Sequence, residues 1–189
     1  MLTGVVLAGG MSRRMGRDKA HLMRFQQSML AFTAEQLLLS GADEVVISGP
    51  DSLPETPYQV IPDDEPQLGP LGGISTILEH SHPKSDHLLF VPVDLPLLDH
   101  QQLITLKSEG IARDKVVMYR GQPLPLFVPT RTEVRSALRQ QIEDGSNLSI
   151  RRFADVCGGD IVVSSATDCW FNSNTPEDWR KALDLLNNR

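Results

Sequence analysis

The sequence has little of what a disulfide framework, a zinc site or a membrane span requires. Its 189 residues include two cysteines, Cys157 and Cys169, which form neither a C-x-x-C pair nor another metal-binding spacing. No apolar run approaches the roughly 20 residues of a membrane-spanning helix. No apolar segment preceded by basic residues marks a secretory signal at the N-terminus. We therefore expect two buried thiols in a cytoplasmic protein.

Positive charge is also scarce. The formal net charge is −6 and the isoelectric point is about 5.3. This balance argues against broad adhesion to nucleic acids or membranes, because their anionic surfaces attract basic proteins. The apolar share of 40% and the charged share of 22% are close to those of ordinary globular proteins. Since no internal repeat and no Gly/Ser linker divides the chain, we expect a single domain over residues 1–189.

Motifs of hydrolytic enzymes are missing. The sequence contains no G-x-S-x-G, no H-E-x-x-H and no plausible cysteine–histidine arrangement. His80 and His82, in "EHSHP", are followed by a proline that favours a loop. Nucleophilic hydrolysis and a helical zinc site therefore have no support.

The chain instead alternates short β-branched runs with longer helical patterns. The strand-like runs "LTGVVLA", "EVVIS" and "HLLFVPVD" are separated by helical stretches such as "SMLAFTAEQLLLSG", and "HQQLITLKSEG" follows them. This order is typical of βαβ units, and the apolar strands indicate a sheet buried on both faces. We predict an α/β fold with a mainly parallel sheet, whose ligands bind beyond the carboxyl ends of the strands.

The last third of the chain continues this pattern. It contains the strand-like pieces "KVVMY", "LPLFVP" and "DIVVSS" and helical stretches around 133–142 and 147–156. A closing helix is predicted after Thr175, which is suited to be its N-cap, with Pro176 at the first helical position. Asp178 completes the [ST]-x-x-[DE] pattern of a capping box.

The loop after the first strand, "LAGGMSRRMGRDK", has the composition of an anion site. Gly9 and Gly10 allow backbone N–H groups to approach a ligand closely, and such amides bind anions. Hydroxyl and basic donors follow, at Ser12, Arg13, Arg14, Arg17 and Lys19. The loop matches neither the Walker A pattern nor G-x-G-x-x-G, and a solvated basic turn is the alternative interpretation.

Acidic residues follow two of the later strands. Asp94 ends the apolar run "LLFVPVD", where a carboxylate is costly unless it binds a cation or accepts hydrogen bonds. It is therefore a candidate Mg²⁺ ligand, with a turn or helix-capping role as the alternative. Asp63, Asp64 and Glu65 form a second acidic turn, which by composition alone is a solvated loop.

The segment from Leu7 to Lys19 resembles the nucleotidyltransferase pattern L-A-[GA]-G-x-S-x-R-M-G-x-x-K, specifically that of the molybdenum cofactor guanylyltransferases (the MobA family). Further similarity lies in the aspartate-to-proline segment at Asp94, in "GPLGG" (69–73) and in "NSNTPED" (172–178). By composition, 69–73 is expected to be a loop that leads into a tight start of the helical stretch "ISTILEH". The resemblance implies a Rossmann-like three-layer αβα sandwich with a mainly parallel, mixed sheet. It also implies a nucleotide-binding half over about 1–115 and a pterin-substrate half over about 116–189.

The resemblance assigns roles to individual positions. It implies that Asp94 holds Mg²⁺ and that Lys19, Arg14 and Asp94 are catalytic. The residues expected to bind GTP are Leu7, Ala8, Gly9, Gly10, Lys19, Asp63 and Asp94. Asp63, rather than the adjacent Asp64, is the aspartate that matches the family's nucleotide-contacting position. Asn172 and Asn174 are expected to touch the pterin.

The implied activity is transfer of GMP from GTP to molybdopterin or Mo-molybdopterin, with release of pyrophosphate. The alternatives are a CTP-dependent molybdopterin cytidylyltransferase, a sugar-phosphate nucleotidyltransferase, and a non-catalytic molybdopterin or nucleotide carrier. Ala8–Gly10 and the 69–73 segment favour guanine, whereas Ser48 and Gln122 depart from the family pattern. We expect a monomer that serves apo-molybdoenzymes or their chaperones and binds neither nucleic acid nor membrane.

Overall fold

The computed structural model of the chain describes residues 1–9, 19–50, 53, 55–81, 85–145, 147–164 and 168–188. The strands are β1 (Leu2–Leu7), β2 (Met23–Arg24), β3 (Gln27–Ser28), β4 (Glu44–Ser48), β5 (Gln59–Ile61), β6 (His87–Pro92), β7 (Val117–Tyr119), β8 (Gln122–Pro129) and β9 (Asp160–Val162). The α-helices are α1 (Met29–Leu39), α2 (Pro70–His80), α3 (His100–Arg113), α4 (Thr132–Asp144), α5 (Ile150–Val156) and α6 (Pro176–Asn187).

Seven strands form one mixed sheet in the order β5-β4-β1-β6-β8-β7-β9. β1 lies between β4 and β6 and is parallel to both, so that Val5 pairs with Val46 on one side and Phe90 on the other. β8 runs antiparallel to its neighbours β6 and β7, while β9 is parallel to β7. The predicted mainly parallel, mixed sheet is confirmed.

The apolar strands bury alternate side chains on opposite faces of the sheet, as period-two geometry requires. Val6 packs into a core with α1 and α3, whereas its neighbour Val5 packs into a second core with α2, α4 and α5. Both residues are 0% exposed. The two cores explain why the strands read as continuous apolar runs, and they make three layers of helix, sheet and helix.

Two element boundaries differ from the sequence prediction. β6 ends at Pro92, which pairs with the last residue of β1, Leu7. Asp94 therefore lies in the turn beyond the strand, because no neighbouring strand remains to pair with it. The segment 69–73, predicted to be a loop, forms the start of α2 instead: Gly69 is the N-cap, with φ of 60°, and Pro70 is the first helical residue.

The two thiols differ in burial. Cys169 is buried as predicted, but Cys157 is only partly buried, at the end of α5, so that prediction was wrong for one of the two. Neither cysteine forms a disulfide, and burial raises the pKa of Cys157 to about 11. None of the described helices has the length and apolarity needed to cross a membrane.

Candidate active site

The carboxyl ends of β5, β4, β1 and β6 lie side by side at one edge of the sheet, because these strands are adjacent and parallel. Backbone hydrogen bonds continue the ladder beyond the strand ends, from Ala8 N to Ser48 O (2.8 Å) and from Val93 N to Leu7 O (3.2 Å). Leu7 and Ala8 are buried, whereas Gly9 is exposed. The Leu7 oxygen and the Ala8 N–H are thus occupied by the ladder, whereas Gly9 is open to a ligand.

Lys19 and Asp94 form an ion pair at this edge. The Lys19 Nζ donates to Asp94 Oδ2 at 2.9 Å. The side chains are 16% and 20% exposed respectively, so the pair is largely shielded from water. A shielded pair is attracted more strongly than one in bulk solvent, but each charge has also lost hydration. The pairing therefore brings together two residues predicted to act on the same ligand.

Asn174 is the second partner of Lys19. Its Oδ1 accepts a hydrogen bond from Lys19 Nζ at 2.6 Å. The residue before it, Ser173, is fully buried and donates from its N–H (3.0 Å) and its Oγ (3.3 Å) to the backbone oxygen of Asp94. Asn172 is exposed. Two consecutive residues near the C-terminus thus hold the two charged members of the site.

The capping box predicted at the start of α6 is confirmed, and it fixes this segment. Thr175 Oγ1 accepts from Asp178 N, while Asp178 Oδ2 accepts from Thr175 N (2.9 Å) and Asn174 N (3.2 Å). The hydrogen bond from Thr175 lowers the pKa of the Asp178 carboxyl. Asp178 therefore stays ionised at neutral pH and keeps its hold on the backbone of Asn174.

Asp63 and Asp64 face different parts of α2. Asp63 Oδ1 accepts from Glu65 N at 2.9 Å, which makes a turn against the first residues of the helix, and it contacts Thr76 Oγ1 at 3.4 Å. Asp64 lies 3.8 Å from the Nδ1 of His80, at the far end of the same helix. Of the two carboxylates, Asp63 is the one next to the N-terminal end of α2, whose free N–H groups favour anions.

Other positions named in the sequence analysis lie either outside the described residues or apart from the Lys19–Asp94 pair. Gly10 and Arg14, with the neighbouring donors Ser12, Arg13 and Arg17, lie outside the described residues. Ser48 is 2% exposed and lies beneath Gly73 of α2. Gln122 begins β8 and pairs with Tyr119.

The carboxylate of Asp94 suits a hard cation. Its second oxygen, Oδ1, is buried and has no hydrogen-bond partner among the described residues. A buried carboxylate oxygen without a donor is costly. Mg²⁺ is commonly held by one or two carboxylates together with substrate phosphates. Since the described residues contain no group of three or more His, Cys, Asp or Glu side chains able to hold a metal, Asp94 fits a site that the substrate completes.

The sequence analysis missed two supporting residues. One is Ser173, which donates to the backbone oxygen of Asp94. Its position shortly before the capping box is the one sequence signal that marks it. The other is Arg24, in the β2–β3 hairpin, whose Nε donates to the backbone oxygen of Pro96 at 2.9 Å. The Arg24 guanidinium lies 4.1 Å from the centre of the Phe32 ring. Arg24 thus ties the turn after Asp94 to the hairpin and α1.

Comparisons with known proteins cover nearly the whole chain. A family model described as the MobA-like NTP transferase domain matches residues 4–164. A molybdenum cofactor guanylyltransferase of Xanthomonas euvesicatoria pv. vesicatoria (strain 85-10) is 36% identical over 184 residues, covering 96% of this chain and 94% of that protein. A second, from Rhizobium meliloti (strain 1021), is 31% identical over 193 residues, covering 94% and 88%.

The fold is also found in solved structures. The molybdopterin-guanine dinucleotide biosynthesis protein A of Archaeoglobus fulgidus superposes with a TM-score of 0.78 at 19% identity, over 99% of this chain and 100% of that one. At this identity the likeness establishes the shared fold.

Proposed function

This chain belongs to the MobA-like NTP transferase family, and we propose that it transfers GMP from GTP to the terminal phosphate of molybdopterin or Mo-molybdopterin. The products are the molybdopterin guanine dinucleotide and pyrophosphate. The observation that carries the proposal is the similarity to a curated guanylyltransferase over 96% of the chain. The pairing of Lys19 with Asp94 at the carboxyl edge of the sheet supports it.

The transfer exchanges one phosphorus–oxygen bond for another. A terminal phosphate oxygen of the pterin forms a bond to the α-phosphorus of GTP. The bond from that phosphorus to the bridging oxygen of the β-phosphate breaks, and its electron pair leaves with pyrophosphate. Because the nucleophile is already an anion, the protein needs no strong base; it must align two anions and stabilise their charge. The lack of a nucleophile–base motif agrees with this requirement.

Lys19 is the residue that acts on the phosphates in this scheme. An ammonium group has three N–H donors, and two of those on Lys19 are used by Asp94 and Asn174. The third has no partner among the described residues, so Lys19 can donate it to a phosphate oxygen. Arg14 is proposed to stabilise the leaving pyrophosphate, and Gly9 and Gly10 to bind the nucleotide through their amides.

Asp94 is proposed to hold Mg²⁺ through its unpaired Oδ1. When bound there, the cation supplies positive charge to the triphosphate oxygens. Asp63 is proposed to contact the nucleotide, and the exposed Asn172 is proposed to contact the pterin. We further propose that the protein acts as a cytoplasmic monomer and that apo-molybdoenzymes or their chaperones receive the product.

The proposal is tested by comparing GTP, CTP, ATP and UTP, each with Mg²⁺, in a thermal-unfolding assay. A ligand that binds only the folded state stabilises it by RT ln(1 + [L]/Kd), about 2.7 kcal/mol at a hundredfold excess over Kd. We expect GTP alone to give a large shift. A shift with CTP alone would instead identify a cytidylyltransferase.

A second assay separates an enzyme from a carrier. Purified protein, GTP, Mg²⁺ and molybdopterin are mixed, and pyrophosphate is measured. We expect one pyrophosphate per dinucleotide formed, and none when EDTA removes the cation. Nucleotide binding without pyrophosphate release would contradict the transfer reaction.

A further inference from the structure

Asn174 is one of the two residues predicted to touch the pterin, and its side chain is already engaged. Its Oδ1 accepts from Lys19 Nζ at 2.6 Å, shorter than the 2.9 Å bond that Lys19 makes to Asp94. Asn174 comes from a segment 155 positions from Lys19 in sequence. Its amide is therefore the second acceptor of the ammonium and does not face the ligand alone.

The ammonium of Lys19 has two acceptors, one oxygen of Asp94 and the amide oxygen of Asn174. Lys19 contacts Oδ2, whereas Oδ1 is buried and unpaired among the described residues. The two oxygens of an ionised carboxylate share its negative charge, so this charge alone does not decide which of them an ammonium contacts. A neutral acceptor on the other side pulls one N–H away from the carboxylate. Asn174 thus keeps Lys19 on Oδ2 and leaves Oδ1 for another ligand.

The position of Asn174 is itself fixed from both sides along the chain. On one side, the buried Ser173 donates twice to the backbone oxygen of Asp94. On the other, Asp178 Oδ2 accepts from the N–H groups of Asn174 and Thr175. The capping box of α6 therefore determines where the Asn174 amide meets Lys19.

We infer that Asn174 is a positioning residue that acts through Lys19, and that the Asp178 carboxylate acts through Asn174 in the same way. The inference rests on the proposed guanylyl transfer and deepens it. In this role Asn174 does not recognise the pterin directly. It orients the Lys19 ammonium, which contacts the triphosphate. Losing a group that orients a catalytic ligand commonly lowers activity by about 10- to 100-fold.

The test is a double-mutant cycle on the full-length protein. GTP affinity in the presence of Mg²⁺ is measured by calorimetry for the wild type, Asn174→Ala, Lys19→Met and the double variant. If Asn174 acts through Lys19, Asn174→Ala weakens GTP binding in the wild type but has no further effect once Lys19 is methionine. Equal losses in both backgrounds would overturn the inference.

Steady-state kinetics separate positioning from pterin contact. We expect Asn174→Ala to lower kcat by about 10- to 100-fold while the KM for molybdopterin stays within about twofold. An increase in the KM for molybdopterin with kcat retained would show that Asn174 binds the pterin directly, and would overturn the inference. The wild type is measured alongside: if it releases no pyrophosphate, the proposed function fails, whereas the calorimetric cycle still decides the role of Asn174.

The role of the capping box is tested on the same helix. Asp178→Ala is expected to lower kcat severalfold, and Asp178→Asn less, because an asparagine oxygen can still accept one of the N–H groups. Glu177→Gln is the matched control, since Glu177 is exposed and its carboxylate pairs with Lys181 on the helix surface (3.0 Å). If Asp178→Ala and Glu177→Gln had the same kcat, Asp178 would have no role in positioning Asn174.

Discussion

Gly73 approaches Ser48 so closely that a β-carbon at position 73 would lie 2.6 Å from the Ser48 Oγ. Ser48 is the last residue of β4 and is 2% exposed. The neighbouring Gly72 is more tightly enclosed, because a β-carbon there would lie 2.3 Å from the backbone oxygen of Glu65. These two glycines let the first turn of α2 pack directly on the sheet and on the Asp63 turn.

We therefore predict that Gly72→Ala and Gly73→Ala both destabilise the protein. Overpacking a tight interface costs about 1–3 kcal/mol, which exceeds the roughly 1 kcal/mol that alanine normally gains over glycine in a helix. Gly72→Ala is expected to be the more costly, because its obstacle is backbone. Urea denaturation measures the difference in the free energy of unfolding.

Ser48→Ala provides the matched control for these variants. It removes the nearest atom to a β-carbon at position 73 but leaves the Glu65 oxygen in place. We expect it to restore part of the stability of Gly73→Ala and none of that of Gly72→Ala. If Ser48→Ala rescued both variants or neither, the packing argument would be wrong.

The Lys19–Asp94 pair predicts different outcomes for two substitutions of the carboxylate. Asp94→Asn keeps an acceptor for Lys19 but loses the negative charge, so we expect the fold to persist and kcat to fall by at least about 100-fold. Asp94→Ala is expected to lose activity similarly and also to unfold at lower urea, because Lys19 then loses its carboxylate partner and keeps, among the described residues, the amide of Asn174. Pyrophosphate release and urea denaturation are measured on both.

Asp184→Asn serves as the charge-matched control for this experiment, since Asp184 lies exposed on α6. It is expected to leave kcat unchanged. Near-normal Mg²⁺-dependent transfer by Asp94→Asn would remove Asp94 from the catalytic centre.

Tyr119 predicts a loss of stability in alkali. Burial raises its pKa to about 12, from an ordinary value of 10.0, and its hydroxyl donates to the Gln102 backbone oxygen at 2.8 Å. Below pH 10 the phenol is neutral in both the folded and unfolded chain. As the pH rises from about 10 to 12, the unfolded chain ionises first, so the free energy of unfolding should decrease.

An ultraviolet titration of the phenolate can follow this group, because the chain has two tyrosines. Tyr119→Phe should remove the component that titrates near pH 12 and leave the other. If an absorbance change near pH 12 persisted in Tyr119→Phe, that titration would belong to a different residue.

Local sequence signals predicted local structure well. Thr175, Pro176 and Asp178 predicted the capping box of α6 because its partners are three residues apart and need no tertiary context. The start of α2 was predicted too late in the sequence, because it depends on tertiary contacts. Two glycines weaken intrinsic helix preference, and the packing against Ser48 and Glu65 that favours a helix there cannot be seen in the local sequence.

In the candidate site, too, sequence motifs identified some residues, whereas contacts that depend on the tertiary fold were not predicted. Similarity to a family motif selected Lys19 and Asp94 as members of one site, and the structure places them 2.9 Å apart. No local pattern could indicate that Asn174 meets Lys19, because that contact depends on how α6 returns to the sheet edge. The same limit hid Ser173, whose hydrogen bonds to Asp94 span 79 positions.

The site is assembled from three widely separated parts of the chain, at positions 19, 94 and 174, and this sets an order for its completion during synthesis. A nascent chain extended to residue 164, the end of the family match, already carries Lys19 and Asp94 but lacks Ser173, Asn174 and the cap of α6. In that shorter chain the Lys19 ammonium and the Asp94 carboxylate can pair, but Asn174, the second partner of Lys19, has not yet been synthesised. Competence for nucleotide binding should thus arrive late, after the last helix has left the ribosome.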